Sequence, residues 1–163
     1  GRKTNLEWCY LLGDFGVRVA GRTARLIPMP NALVFGDYAV QGLPFYTGNI
    51  RYQVPLEVEG GNYRIKISKF RAPLLKVSVD GGEWKRIAYA PYEADLGYLS
   101  PGTHQLEIIS FGSRGNAFGP VHFCDETSPW HGPNDWRTEN ESFAYEYQLK
   151  RTGILKTPII YKI

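Results

Sequence analysis

A strict alternation of apolar and polar residues constrains the fold of this chain more than any other feature. Residues 51–59 carry apolar side chains at every second position, at Tyr52, Val54, Leu56 and Val58. Successive side chains of an extended strand point to opposite faces, so this period of two predicts a strand buried on one face. A glycine pair at 60–61 precedes a second alternating run at 63–67. Because glycine readily adopts the positive φ angles of tight turns, the two runs are predicted to form a β-hairpin.

The same design recurs along the chain. A second hairpin is predicted at 75–87 around Asp80-Gly81-Gly82, and a third at 15–26 around Gly21-Arg22. Further strands are predicted at 6–12, 33–38, 105–111, 121–124, 143–149 and 157–161. Residues 91–99 are the one candidate for a short helical turn. The 18 Gly, 11 Pro and 14% aromatic residues are typical of strands and turns rather than of a helix bundle. We therefore predict an all-β fold, an antiparallel β-sandwich.

The length of 163 residues fits one domain, so residues 1–163 are predicted to form a single sandwich. Residues 1–32 either begin this sandwich or contribute strands shared with a preceding domain. The chain starts at Gly1 without a methionine, which suggests a domain excised from a longer polypeptide. Cys9 and Cys124 allow one disulfide, but buried thiols are common and two free thiols are the favoured state.

Charge and hydropathy exclude two classes of partner. A net charge of +3 and a pI near 8.8 are too mildly basic for a nucleic-acid-binding surface. No apolar run approaches the roughly 20 residues that cross a bilayer, so no membrane partner is expected. The compartment stays open between a secreted, a periplasmic and a cytoplasmic location.

Residues 112–142 form the least strand-like region and are predicted to be a long functional loop, since loops of that length often carry binding residues. The region holds aromatic and polar side chains that suit a sugar: an indole face stacks on the apolar C–H face, and carboxylate, amide or imidazole groups bind the hydroxyls. The tryptophans are the predicted stacking platforms and the polar side chains the predicted hydroxyl partners; with two residues from an earlier segment, the candidates are Trp130, Trp136, His131, Asp135, Asp125, Asn116, Tyr46 and Asn49. An alternative is that the tryptophans attach the loop to the sandwich or to a neighbouring domain.

Calcium and zinc are the two candidate metal ions for the same region. Asp125 and Glu126, with Asp135, are candidate calcium ligands because carboxylate and carbonyl oxygens suit that ion, although no EF-hand spacing is present. His122 and Cys124 would share one face of a strand and could hold zinc, but their spacing matches no zinc motif. The sequence establishes no cofactor, and between the two metals a structural calcium ion is the stronger candidate.

Catalysis by this chain alone is not expected. It contains no Gly-x-Ser-x-Gly elbow, and neither cysteine lies in a nucleophile motif. Glycoside hydrolysis needs two carboxylates roughly 5–10 Å apart across a cleft, whereas Asp125 and Glu126 are adjacent and would point apart in an extended chain.

Three segments carry a resemblance to a known family. Residues 43–49, Leu-Pro-Phe-Tyr-Thr-Gly-Asn, resemble a segment of the galactose-binding-like jelly rolls, the sugar-binding sandwich domains of large family 2-like bacterial glycoside hydrolases. Residues 99–108, Leu-Ser-Pro-Gly-Thr-His-Gln-Leu-Glu-Ile, and 115–122, Gly-Asn-Ala-Phe-Gly-Pro-Val-His, are similar to two further segments of such domains. The resemblance covers residues 33–163 and implies a jelly roll near the C-terminus of a longer hydrolase, with catalysis seated mainly in another domain.

These observations favour a non-catalytic accessory domain that binds or positions a glycan for the catalytic domain of the same polypeptide. The alternative is a purely structural sandwich that buttresses the catalytic domain and has no ligand of its own. A third hypothesis, an independent enzyme, has the weakest support.

Overall fold

The computed structural model describes residues 10–125, 127, 130–139 and 141–163. These residues form eleven β-strands and two short helices. The helices are α1 (Gly115–Phe118) and a 3-10 helix (Pro133–Trp136). The strands are β1 (Gly16–Ala20), β2 (Thr23–Ile27), β3 (Ile50–Val58), β4 (Gly61–Lys66), β5 (Phe70–Arg71), β6 (Leu75–Val79), β7 (Lys85–Ile87), β8 (Glu93–Leu99), β9 (Gly102–Ser110), β10 (Gly153–Ile154) and β11 (Ile159–Lys162).

The larger sheet has four antiparallel strands in the order β3-β9-β6-β7. Its register places Tyr52 opposite Ile108 and Ile108 opposite Val77, and all three are buried. The predicted alternation of β3 is confirmed: Tyr52 and Val58 are buried, Val54 and Leu56 are half-buried, and the residues between them are exposed. Pro55 lacks a backbone N–H and is tolerated here because β3 is an edge strand.

A second sheet of three strands, in the order β11-β4-β8, completes the sandwich. Its side chains Ile65 and Ala94 join residues of the larger sheet and of the connecting segments in one buried cluster, which comprises Tyr38, Leu43, Ile50, Tyr52, Ile65, Ile67, Leu75, Val77, Ile87, Ala94, Leu106, Ile108 and Ile154. The predicted all-β, antiparallel sandwich is thus confirmed.

The predicted hairpin between residues 51–59 and 63–67 is wrong. β3 pairs with β9, whereas β4 pairs with β8 and β11, so the two strands belong to different sheets. Gly60 and Gly61 do have the positive φ angles expected of a turn, 90° and 132°. The turn leads the chain from one sheet to the other because the apolar faces of both strands are buried in the core between the sheets.

The other two hairpins are confirmed. β6 pairs with β7, and β1 pairs with β2. The β1–β2 hairpin forms a sheet of its own and contributes no side chain to the core cluster, so the proposal that 1–32 is shared with a preceding domain stays a prediction, as does the single-domain interpretation.

Several local predictions need correction. Residues 91–99 contain strand β8 rather than a helical turn, because Ala94 and Leu99 bury side chains in the sandwich. Residues 33–38 are irregular, yet Tyr38 lies in the core. The strands predicted at 121–124 and 143–149 reduce to one bridge between Phe123 and Phe143. Of the strand predicted at 6–12, residues 10–12 are irregular and the rest lies outside the described residues. None of the described helices is long and apolar enough to cross a membrane.

Candidate functional site

The predicted functional region lies in what we term the late segment, residues 112–152, between β9 and β10. Its two halves are joined by main-chain hydrogen bonds: the N–H of Cys124 donates to Ser142 O (2.8 Å) and that of Ala144 donates to His122 O (2.8 Å). The described part of the late segment contains little regular structure besides α1 and the 3-10 helix. Side-chain contacts therefore also hold its backbone in place.

Asn116 is one such side chain. It is buried, and its amide makes two hydrogen bonds to the backbone of Lys150: Nδ2 donates to Lys150 O (2.8 Å), and Oδ1 accepts from Lys150 N (2.9 Å). Both ends of the amide are therefore used within the protein. Asn116, predicted to bind a sugar hydroxyl, is a positioning residue that ties α1 to the C-terminal part of the late segment.

A second polar network includes two of the predicted site residues. Asp135 Oδ2 accepts from the backbone N–H of Gly132 (2.9 Å) and lies 3.2 Å from His131 Nδ1. His131 Nε2 lies 2.7 Å from Lys150 Nζ. All contacts are satisfied when Nδ1 carries the proton, because Nδ1–H then donates to Asp135 and Nε2 accepts from the ammonium group. The network holds Lys150 at a fixed position on the surface.

An aromatic hollow of about 300 Å³ opens on one side of the 115–123 stretch. Trp136 lines it with 41% of its surface exposed, so part of this side chain is accessible from solvent. Asp135 and Arg137 lie at the same hollow. The remaining aromatic walls come from Tyr10, Phe45, Phe118, His122, Phe143 and Tyr147. Ring contacts such as His122–Tyr147, with centroids 4.7 Å apart, hold these walls together.

A larger cleft of about 1330 Å³ adjoins the aromatic hollow and shares Asn116, Pro120 and Tyr147 with it. We term it the cationic cleft because four basic residues line it: Lys69, Arg71, Lys150 and Arg151. His131 and Asp125 also line it. Sequence reasoning missed the basic residues, since 69–71 and 150–151 lie far apart in the chain; the adjacent pair Lys150-Arg151 was the only available signal.

The β5–β10 ladder brings those basic residues together. Gly153 pairs with Arg71, Ile154 pairs with Phe70, and the N–H of Leu155 donates to Lys69 O (2.9 Å). Neither two-residue strand was predicted, because two residues show no detectable period.

The other predicted residues lie outside the two hollows or at their rims. The Tyr46 hydroxyl donates to Asn49 O (3.3 Å), and Asn49 Oδ1 accepts from Gly112 N (3.2 Å), so this pair fixes the start of the late segment. Trp130 is 71% exposed and is not among the described residues that line either hollow. The structure thus brings Trp136 together with Asp135 and separates Tyr46 and Asn49 from them.

The metal candidates are tested only in part by this geometry. Asp125 Oδ1 accepts from the backbone N–H (2.9 Å) and the hydroxyl (2.6 Å) of Thr127, and these bonds, the hydroxyl foremost, lower the pKa of Asp125. Glu126 lies outside the described residues. Among the described residues no group of three or more His, Cys, Asp or Glu side chains is placed to hold a metal ion. The calcium site stays a prediction. Cys124 is an exposed free thiol, and Cys9 lies outside the described residues.

Comparisons with known proteins place the chain near two crystal structures of a GH2 beta-galacturonidase from Eisenbergiella tayi, one bound to glycerol and one bound to galacturonate. The identities are 24% and 23% and the TM-scores 0.44 and 0.43. In both cases the alignment covers 91% of this chain and 23% of the solved chain, so the present chain spans about a quarter of the length of that enzyme. No protein-family model matches the chain, and no curated protein matches it.

Proposed function

We propose that this chain is a non-catalytic carbohydrate-binding domain of a larger glycoside hydrolase, a jelly roll of the galactose-binding-like type that seats a sugar in the aromatic hollow. The observation that carries the proposal is the accessible indole of Trp136 beside Asp135 and Arg137 in a hollow of about 300 Å³. Pockets for small ligands begin at about this volume, which suits one sugar ring with an open side for a longer chain.

The chemistry of the hollow matches the two surfaces of a sugar. The indole and the neighbouring aromatic rings offer apolar faces for the C–H side of a pyranose ring. Asp135 and Arg137 offer an acceptor and a planar donor at the same opening, and such groups can bind neighbouring hydroxyls. We expect weak binding, with dissociation constants between tens of micromolar and millimolar, or about −4 to −6 kcal/mol.

The assignment to a hydrolase rests on the three family-like segments and on where they lie. Residues 43–49 lead into β3, and residues 99–108 run into β9. Residues 115–122 include α1 and also Asn116 and Pro120, which line both hollows. Two of these segments therefore build the sandwich, and the third builds the candidate site. Under this proposal the catalytic carboxylates belong to another part of the longer polypeptide.

The test is a titration of neutral and acidic monosaccharides and oligosaccharides, followed by NMR shifts and tryptophan fluorescence. We expect shifts at residues of the aromatic hollow and a loss of binding of about tenfold or more in Trp136→Ala, since removing the stacking face removes the main apolar contact. Trp84→Ala is the matched control, because Trp84 lies before β7 and lines neither hollow. A flat response to every sugar, or equal loss in both variants, would contradict the proposal.

A second candidate function, a structural buttress for a catalytic domain, is favoured by a different observation. Large apolar side chains are exposed on β2 and in the segments before β1 and after β2, namely Leu11, Leu12, Leu26, Val34 and Val40. Exposed apolar groups of this kind occur at surfaces that contact other domains. In the full polypeptide, Leu26→Glu should then lower the melting temperature of the hydrolase while leaving sugar binding unchanged; an unaltered melting temperature would count against this role.

A further inference from the structure

We propose that the cationic cleft binds the acidic groups of a glycan, so that the ligand of this domain is an anionic oligosaccharide rather than a neutral one. This inference rests on the proposed function, because it names the class of sugar that the domain would take. It concerns different residues from those that stack the ring, and it can fail while the proposed function stands.

The first argument is the charge of the cleft. Lys69, Arg71, Lys150 and Arg151 line it, whereas Asp125 is the only acidic residue among its described lining residues. The described lining residues therefore carry a net charge of +3, as much as the whole chain, on one concave surface. A concave surface of one sign concentrates ligands of the opposite sign.

The second argument is that three of these cations have no acidic partner among the described residues. Elsewhere on the surface, Arg22 pairs with Glu146 (3.0 Å) and Lys66 pairs with Glu93 (2.9 Å). In the part of the chain that the structure describes, no carboxylate lies within 4 Å of the charged groups of Lys69, Arg71 or Arg151. Their charges are available for an external anion, and the planar guanidinium groups suit the two oxygens of a carboxylate or sulfate.

The third argument is that the protein holds the backbone of these residues in place. The β5–β10 ladder fixes the main chain at Arg71, and Asn116 fixes the main chain at Lys150. The Lys150 ammonium is further held by His131 Nε2. Less conformational freedom is lost when a ligand binds to groups already fixed, so the arrangement favours binding.

The fourth argument is size and continuity. At about 1330 Å³ the cleft exceeds the usual volume for a single small ligand. It adjoins the aromatic hollow through Asn116, Pro120 and Tyr147, which line both. The proposed ligand would place one ring on Trp136 and its acidic rings in the adjoining cleft, as a polymer of uronic acids or a sulfated glycan would.

The experiment compares a short oligogalacturonide, its methyl ester and a sulfated oligosaccharide by titration calorimetry and NMR. The methyl ester is the matched neutral ligand, because it keeps the sugar rings and removes the charge. We expect the acid to bind about tenfold or more tightly than the ester, with an affinity that falls as salt screens the exposed cations. Equal or better binding of the sulfated ligand also supports the proposal and identifies sulfate as the anion.

The variants separate the cleft from overall charge. The double variant Arg71→Gln with Arg151→Gln should weaken binding of the acid about tenfold or more and leave the ester unaffected. The control Arg18→Gln with Arg25→Gln removes the same charge from the β1–β2 hairpin, which lies outside both hollows, and should change affinity less than twofold.

Three outcomes would overturn the inference. Equal binding of acid and ester, abolished by Trp136→Ala, would leave the proposed function intact and remove only the preference for anions. Binding of a DNA oligonucleotide as tight as that of the acid would show a nonspecific basic surface instead of a glycan site. No binding of any sugar would remove both proposals together.

Discussion

The sandwich and the late segment are held together in different ways. In the sandwich, Ile108 lies between Tyr52 and Val77 on neighbouring strands, and buried apolar residues from several strands form one core cluster. In the late segment the backbone is held by a few main-chain hydrogen bonds and by single side-chain contacts, above all the two bonds of Asn116 and the contacts of Asp135. The difference teaches that the same chain uses a repeated, redundant design for its scaffold and individual side chains for its candidate site.

The consequence is a difference in tolerance to change. A repeated apolar pattern distributes stability over many residues, although each buried residue still contributes several kilocalories per mole. A segment held by single hydrogen bonds has few alternatives when one is lost, so a substitution there should alter local structure before it alters global stability.

The largest expected effect comes from the sandwich. Ile108→Ala should lower the free energy of unfolding by about 2–5 kcal/mol, because Ile108 is fully buried between two strands and its removal leaves a cavity. Urea denaturation measures the change. Leu12→Ala is the control, since Leu12 is 90% exposed and surface substitutions usually change stability by less than about 0.5 kcal/mol. Similar losses in the two variants would contradict the assignment of Ile108 to the core.

The sandwich was the part that sequence could predict. Alternation identified the strands because period two is local: Tyr52 and Val58 are buried, Val54 and Leu56 are half-buried and the residues between them are exposed, as predicted. Pairing was harder, since it depends on residues distant in sequence. The Gly60-Gly61 turn has the predicted backbone conformation, yet it joins two sheets, and nothing in the local pattern distinguishes a hairpin from such a crossing.

An intermediate effect is expected in the late segment. Asn116→Ala removes both hydrogen bonds to Lys150 and should destabilise the protein by about 1–3 kcal/mol, because the N–H and C=O of Lys150 lose their partners at a partly buried position. Compared with the unsubstituted protein, the variant should show faster hydrogen exchange at Lys150, whose N–H donates to Asn116. The increase should be smaller at the strands of the sandwich.

Asn49→Ala is the comparison for Asn116, because it removes one bond, to Gly112 N, at an exposed position. We expect a smaller loss of stability and no change in exchange at Lys150. If Asn49→Ala also exposes Lys150, the late segment unfolds as one unit and Asn116 has no special role in it.

The candidate site was predicted only in its composition. The clustering of aromatic and acidic residues in 112–142 indicated the right region, and Trp136 with Asp135 does line a hollow. The positions of Arg71 and Arg151 could not be predicted, because the two-residue ladder that unites them carries no periodic signal. Asn116 illustrates a further difficulty: a polar residue suited to a ligand is equally suited to the backbone of its own chain.

The smallest effect is expected from a polar contact in the sandwich, between His104 and Asp80. It tests whether a single polar contact matters as much in the sandwich as in the late segment. His104 on β9 lies 2.5 Å from Asp80, which also accepts from the N–H of Gln105 (2.8 Å). The hydrogen bond to Asp80, followed by that to Ser100 O, raises the pKa of His104 above 6.5; the bond to His104, followed by that to Gln105, lowers the pKa of Asp80 below 3.8.

The signs of these shifts define a pH window. The contribution of His104 is complete below pH 6.5 and is lost as the pH rises through its raised folded pKa. The contribution of Asp80 is complete above pH 3.8 and is lost as the pH falls through its lowered folded pKa. The pair therefore stabilises the fold most between these two values.

Melting temperatures measured from pH 3 to 9 should show that His104→Asn and Asp80→Asn lose stability mainly inside this window, and that the double variant loses no more than either single one. Additive losses, or losses that do not vary with pH, would show that the two side chains act separately rather than as a pair.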